Sequence, residues 1–184
     1  GGCDTMNPIG PVNALYPMPT TLVGATVNAR PNFLAVAHVG ILNHGTPQYL
    51  SIGLHRSHYS NAGIHANRTF SICLPSEDML VETDYCGIMT GKKTDKAALF
   101  DVFYGELQTA PMIRECPVNM ELKLHDVLDF ATHDIFIGEL VGTYADDAGS
   151  AAMLAVAESV GATADLQPPH PDPGIPAAPH VAGA

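Results

Sequence analysis

The chain has 184 residues, 46% apolar and only 15% charged, enough apolar content for a buried core and too little charge for a disordered chain. Nineteen acidic residues against eight basic ones give a formal charge of −11, which disfavours nucleic acid or an anionic membrane surface as partner, because both need a basic face. No apolar run approaches the roughly 20 residues of a membrane-spanning helix. The first twelve residues lack the basic flank and apolar stretch of a secretion signal, so a cytoplasmic protein is expected.

In chain order, Thr20 to Val27 is β-branched and apolar and predicts a strand, and Phe33 to Leu42 predicts a second. Residues 43–48, with Gly45 and Pro47, form a loop. Tyr49 to Leu54 is a third strand. Ser60 is placed to cap a short helix over residues 61–67, and Thr69 to Leu74 is a fourth strand. Ser76, followed by Glu77 and Asp78, opens a short helix that stops near Gly87. Thr94 or Asp95 opens another, with Ala98, Leu99, Val102 and Phe103 on one face. Val118 to His125 alternates as a half-buried strand does, and Asp134 to Tyr144 is its partner, the residues between them making an antiparallel hairpin.

Ser150 to Val160 predicts a last helix. Beyond Leu166 proline is too dense for either a ladder or a helix, so an extended tail is expected, long enough to lie on a neighbouring subunit. The division is an extension over 1–11, a domain over 12–165 and a tail over 166–184. About six strands, mostly antiparallel, with short inserted helices and no regular βα alternation, give a mainly β fold. A small closed or split barrel is the economical architecture. Cys3, Cys73, Cys86 and Cys116 form no C-x-x-C and read as reduced thiols, packed as small core residues.

The basic residues are unevenly spread. Arg56, Arg68, Lys92, Lys93 and Lys96 are five of the eight and fall within 41 residues. Surface pairing with Glu77, Asp78, Glu82 and Asp95 is the plain explanation for a lysine, but such pairs contribute only ~0–1 kcal/mol. Arg56 has Ser57, Ser60 and an expected helix start beside it. A guanidinium, hydroxyls and the amino end of a helix make a phosphate site. Neither G-x-G-x-x-G nor G-x-x-x-x-G-K-[ST] occurs. His55 and His58 are spaced H-x-x-H, with His65 seven residues on, and a metal site could be drawn from them. The spacing crosses a turn and no carboxylate pattern accompanies it. His38 lies within an apolar segment, as a core histidine would. No hydrolase nucleophile elbow is present, and a chain with so few candidate acids and bases suits a cofactor that brings its own chemistry.

Three segments together resemble the flavin reductase-like family, whose members fold as an FMN-binding split barrel. They are "YPMPTTLVGATV" from Tyr16, "YLSIGLHRSHYSNAGIHANRTFSICLPS" from Tyr49, and "TDYCGIMTGKKTDKAALFDVFYGELQTAPMIRECPVNMELKL" from Thr83. The likeness covers roughly residues 12–145 and is greatest to the flavoredoxin-like branch, which carries electrons through FMN. It implies that the turn of His55, Arg56, Ser57, His58 and Ser60 contacts the flavin phosphate. It implies that the backbone of Ala37, His38, Val39, Gly40 and Ile41 bonds the edge of the isoalloxazine ring. Cys86, Gly87 and Lys96 match a loop that closes over the flavin, and His133 matches a family position of variable role. Cys73 stands where the family usually has Asn. The expected protein is a homodimeric FMN oxidoreductase that takes electrons from NAD(P)H or a redox protein. A flavin-binding module without turnover and a histidine-ligated metalloprotein are the alternatives.

Overall fold

The computed structural model describes residues 7–159. The described residues up to Asp146 form one compact unit, and the described part of a second unit is the helix Asp147–Ser159. The proline-rich tail and Cys3 lie outside the described residues.

Seven strands make one antiparallel sheet: β1 (Thr21–Val27), β2 (Arg30–Val36), β3 (Val39–Asn43), β4 (Tyr49–His55), β5 (Thr69–Leu74), β8 (Val118–Asp129) and β9 (His133–Ala145). Their order is β2-β1-β5-β8-β9-β4-β3, while β6 (Val102–Phe103) and β7 (Met112–Ile113) pair separately. The two edges, β2 and β3, are consecutive in the chain and joined only by Ala37 and His38. Laid flat, six inter-strand gaps would separate those edges by about 29 Å, whereas the link reaches at most about 11 Å. The sheet must therefore roll until its edges approach. At that seam the Gly53 amide of β4 donates to the His38 carbonyl at 2.7 Å. This is a split barrel, as the sequence predicts.

The continuous apolar runs of β1, β2 and β5 follow from burial on both faces. Alternate residues feed two cores. Val23, Ala25, Leu34, Val36, Phe70 and Ile72 join Ile52, Leu54, Leu122 and Phe136 in one. Leu22, Phe33 and Cys73 point the other way, toward Met79, Cys86, Met112, Ile113 and Cys116. The three described cysteines are thus buried, unbridged core residues.

Several elements differ from the sequence reading. The run from Phe33 to Leu42 is two strands, because the chain passes from one sheet edge to the other at Ala37–His38. His38 sits at that crossing and is exposed, so it is not a core histidine. The helix expected from Thr94 is only a 3-10 turn, Lys96–Leu99, and Val102–Phe103 is a strand. The β8–β9 hairpin is longer than expected, its linker being largely strand down to Asp129. Helix α1 (Ser60–Asn67) begins at Ser60, which is its first residue and not its cap. Gly63 lets α1 lie on β1, since a Cβ there would meet the Thr26 carbonyl and come 2.8 Å from the Val27 side chain.

One polar anchor holds the β6–β7 excursion to the barrel. The fully buried carboxylate of Glu121 accepts from the amides of Glu106 (3.0 Å) and Leu107 (2.8 Å) and from the Tyr144 hydroxyl (2.6 Å). Burial, then the bond to Glu121, pushes the Tyr144 phenol up to about 12. Replacing Tyr144 by Phe leaves one buried carboxylate lone pair unmatched. Urea unfolding should show a loss of about 1.5–3 kcal/mol with an unchanged denaturant slope.

Candidate functional site

The turn after β4 and the amino end of α1 form one wall of a cleft of about 290 Å³. Asn32, Leu34 and Ala35 of β2 form its floor. The far wall is the carboxyl end of helix α2 (Leu80–Ile88), with Met89, Thr90 and Gly91, and Lys96. The polar groups presented are the hydroxyls of Ser57, Ser60 and Thr90, the phenol of Tyr59, the imidazole of His58, the amide of Asn32 and the ammonium of Lys96. Among the described residues, no carboxylate lines this cleft. The amino end of a helix carries partial positive charge and amides without intrahelical acceptors.

Lys96 is the unusual member. It is only 3% exposed. Its Nζ donates to the carbonyls of Cys86 (3.2 Å) and Met89 (3.1 Å), at the end of α2 where helix carbonyls lack amide partners. Burial holds the ammonium below the ordinary lysine value, with the Cys86 thiol pulling slightly the other way. Burial likewise pushes the Cys86 thiol up, against the effect of Lys96. No carboxylate pairs with Lys96 among the described residues. Two of its three N–H bonds are satisfied by carbonyls and one is left for the cleft.

His58 is held below the ordinary histidine value, by partial burial first and then by His55, His133 and Lys96. It ends a row of imidazoles. Ring centroids are 6.1 Å apart for His55 and His58, 5.2 Å for His55 and His133, and 5.9 Å for His133 and His38. The row runs from the cleft to a second, more apolar groove lined by Leu15, Pro17, Met18, His38, Val39 and Ile135.

The sequence-derived residues therefore separate. Ser57, His58, Ser60, Cys86, Gly87 and Lys96 come together in the cleft. Ala37, His38 and Val39 line the apolar groove, while Gly40 and Ile41 continue along edge strand β3 without lining either. His55 stands behind the cleft, its Nδ1 accepting from the Ser57 amide at 3.1 Å. Arg56 has other partners. Its Nε donates to Asp134 at 2.9 Å and its Nη2 lies 3.8 Å from Asp129, so its fork faces the β8–β9 hairpin and not the cleft. Arg68 donates to the Leu124 carbonyl. His65 packs its ring on Phe136, away from His55 and His58, and no three metal-ligating side chains converge among the described residues.

Sequence reasoning missed Asn32, Tyr59 and Gly91. Asn32 is buried, its Nδ2 donating to Ser60 Oγ at 2.7 Å, and it fixes the start of α1 against β2. The two-residue turn Asn28–Ala29, both residues at positive φ, sets the β1–β2 register that brings Asn32 there. Gly91 is required by close approach. A Cβ there would run into the Asn32 side-chain carbonyl and lie 2.8 Å from the Tyr59 ring.

Residues 13–163 match the model of the flavin reductase like domain, and the chain belongs to that family. Within it the chain falls in the flavoredoxin branch. It is 42% identical to flavoredoxin from Methanosarcina acetivorans, with a TM-score of 0.75 over 78% of this chain and 76% of that one. It is 31% identical to flavoredoxin of Desulfovibrio vulgaris (Miyazaki F), with a TM-score of 0.71 over 78% of each chain. An uncharacterized protein of Archaeoglobus fulgidus is 26% identical over 136 residues, 73% of this chain and 76% of that protein. A flavin-related redox function follows from the family. No helix among the described residues is long and apolar enough to cross a membrane.

Gly91→Ala should push the 89–93 loop off Asn32 and Tyr59. The expected cost is about 1–3 kcal/mol in chemical unfolding, the usual scale for inserting a methylene into a packed contact.

Proposed function

We propose that the chain is an FMN-binding electron-transfer oxidoreductase, taking electrons from a nicotinamide dinucleotide or a redox protein and passing them to an acceptor. The observation that carries the reading is the cleft itself. In a protein with nineteen acidic residues, no carboxylate among the described residues lines it, and it contains a buried ammonium whose hydrogen-bond partners among those residues are carbonyls. A phosphate supplies the missing counter-charge.

The residues present fit such a group. Lys96, the hydroxyls of Ser57 and Ser60, the first-turn amides of α1 and, when protonated, His58 would hold the phosphate. The resemblance assigns the ring edge to the backbone of residues 37–41, and the row His58–His55–His133–His38 connects that groove with the cleft. Bound FMN would supply hydride and single-electron chemistry at its ring, which requires no protein acid or base. The chain's own work is to bind, orient and screen. Asn32 and Gly91 set the distance between the two cleft walls, and Leu34, Ala35, Ile88 and Met89 give it an apolar lining. A homodimer is part of this reading. Ile41 and Leu42 on edge strand β3, and Ile9, Val12, Leu15 and Tyr16 before β1, are more than half exposed, an apolar surface suited to a second copy.

Two measurements test the reading. Lys96→Met keeps the volume and removes the charge, so FMN should bind flavin-free protein at least ~30-fold more weakly by fluorescence quenching, the lower end of losing one partner of a desolvated charge pair. An unchanged dissociation constant, with an unchanged thermal melt, would remove the phosphate assignment.

The second is pH dependence. A phosphate dianion raises the pKa of His58 from its lowered value in the free protein. Binding then takes up a proton, so affinity should rise as pH falls from about 8 toward about 6. It should turn over where the phosphate's second ionisation, near ~6, removes ligand charge. His58→Gln should flatten the rise and leave the turnover.

A further inference from the structure

A second cleft of about 270 Å³ adjoins the first and shares Asn32, Tyr59, Gly91 and Lys96 with it. Its remaining lining is Val27, Arg30, Pro31, Lys92, Lys93, Thr94 and Asp95. Four of the chain's eight basic residues thus face one cavity, against a single carboxylate, Asp95, among the described residues, in a protein of net charge −11. Arg30, Lys92 and Lys93 are exposed, and none of them lies within ion-pair distance of a carboxylate among the described residues. Three like charges gathered without partners repel one another, and stability gives no reason for the arrangement. Arg30 comes from the β1–β2 hairpin and the lysines from a loop some sixty residues later, so the fold brings them together and local composition does not. Gly91 makes the approach possible, packing against Asn32 and Tyr59, and all three line both clefts.

We propose that Arg30, Lys92 and Lys93 form a second phosphate subsite, continuous with the first, which takes the adenylate phosphates of a dinucleotide. The inference rests on the flavin reading for its neighbour, because Lys96 serves both clefts. Two molecules carry the required chemistry: FAD, whose second phosphate would follow the first out of the cleft, and a nicotinamide dinucleotide seated beside bound FMN. Either makes this annex a specificity determinant, since it distinguishes ligands by phosphates remote from the reacting ring. The cations are open to solvent, so the contribution is screened by salt.

The experiment uses the double variant Lys92→Gln/Lys93→Gln, with Arg30→Gln as a second, spatially separate change. Both alter only exposed side chains. FMN and FAD are titrated into flavin-free protein, and ADP and 2′,5′-ADP into FMN-loaded protein, at low and high salt. If FAD is the source, it should bind wild type more tightly than FMN. Each variant should lose about tenfold for FAD and nothing for FMN, the scale of one or two partly exposed charge–phosphate contacts. If the nicotinamide dinucleotide is the source, the adenylate probes should bind the FMN-loaded protein and each variant should lose about tenfold for them, again with FMN unaffected. Under either source the loss shrinks at high salt. Identical affinities of wild type and variants for every probe overturn the proposal, as does an equal loss of FMN, which would make these cations part of the first site. A wild type that takes neither flavin fails the earlier reading, and the adenylate probes, titrated into that protein alone, then decide the annex by the same loss or its absence.

Discussion

Everything at the candidate site turns on one buried cation held by dipoles. The Lys96 ammonium is nearly sealed from water, and its hydrogen-bond partners among the described residues are the Cys86 and Met89 carbonyls at the carboxyl end of α2. Taking an ammonium out of water costs several kcal/mol even after relaxation, and two carbonyls offset only part of it. Had a carboxylate completed the shell, the charge would be spent within the protein. Carbonyls leave it available, while still fixing where the ammonium sits. The same two bonds tie the end of α2 to the 3-10 turn that carries Lys96, so the cleft's far wall and its cation are positioned together. The lowered pKa expresses this tension between burial and charge.

The barrel determines what faces that cation. Because β2 and β3 are consecutive yet stand at opposite edges of the sheet, the roll of the sheet is fixed by a two-residue link. Rolling sets β4 beside both edge strands' ends, and β4 delivers the His55–Ser60 turn to the rim. The β1–β2 hairpin delivers Asn32, whose amide grips Ser60. Three segments remote in sequence, around residues 32, 58 and 91, then meet with almost no freedom. The Gly91 contact measures that closeness, since there is no room for a methyl group between the loop and Asn32. Close packing at Gly91 and the Asn32–Ser60 bond hold the walls of the cleft at a set separation.

Much of the fold was legible because apolar and polar residues alternate from Val118 to His125, and the short apolar strands are separated by Gly, Pro and Ser punctuation. The bend at Ala37–His38 was not, because the apolar pattern runs through it without interruption and only the topology of the whole sheet requires a break there. Ser57, His58, Ser60 and Lys96, singled out through local chemistry and resemblance, do share one cleft. Arg56 shows the limit of that reading. A guanidinium next to two serines looks like an anion fork, yet Asp134, 78 positions later, takes its Nε. Asn32 was illegible for the opposite reason, being a lone amide in an apolar strand whose meaning appears only when α1 is laid on β2.

The acid excess bears on how such a site works. At physiological salt the Debye length is about 8 Å, so an approaching phosphate compound more than one or two such lengths away feels little of any single cluster and, on average, a repulsive surface. Long-range steering of the kind that raises association rates by orders of magnitude requires a broad field of opposite sign, which a chain of net charge −11 does not provide. Attraction begins at the mouth of the two clefts, where four basic side chains meet one carboxylate, Asp95, among the described residues. On the proposed reading, discrimination against other anions would be made at contact, by hydroxyls, amides and one desolvated ammonium. A site built in this way gains little from long-range capture and relies on fit at contact.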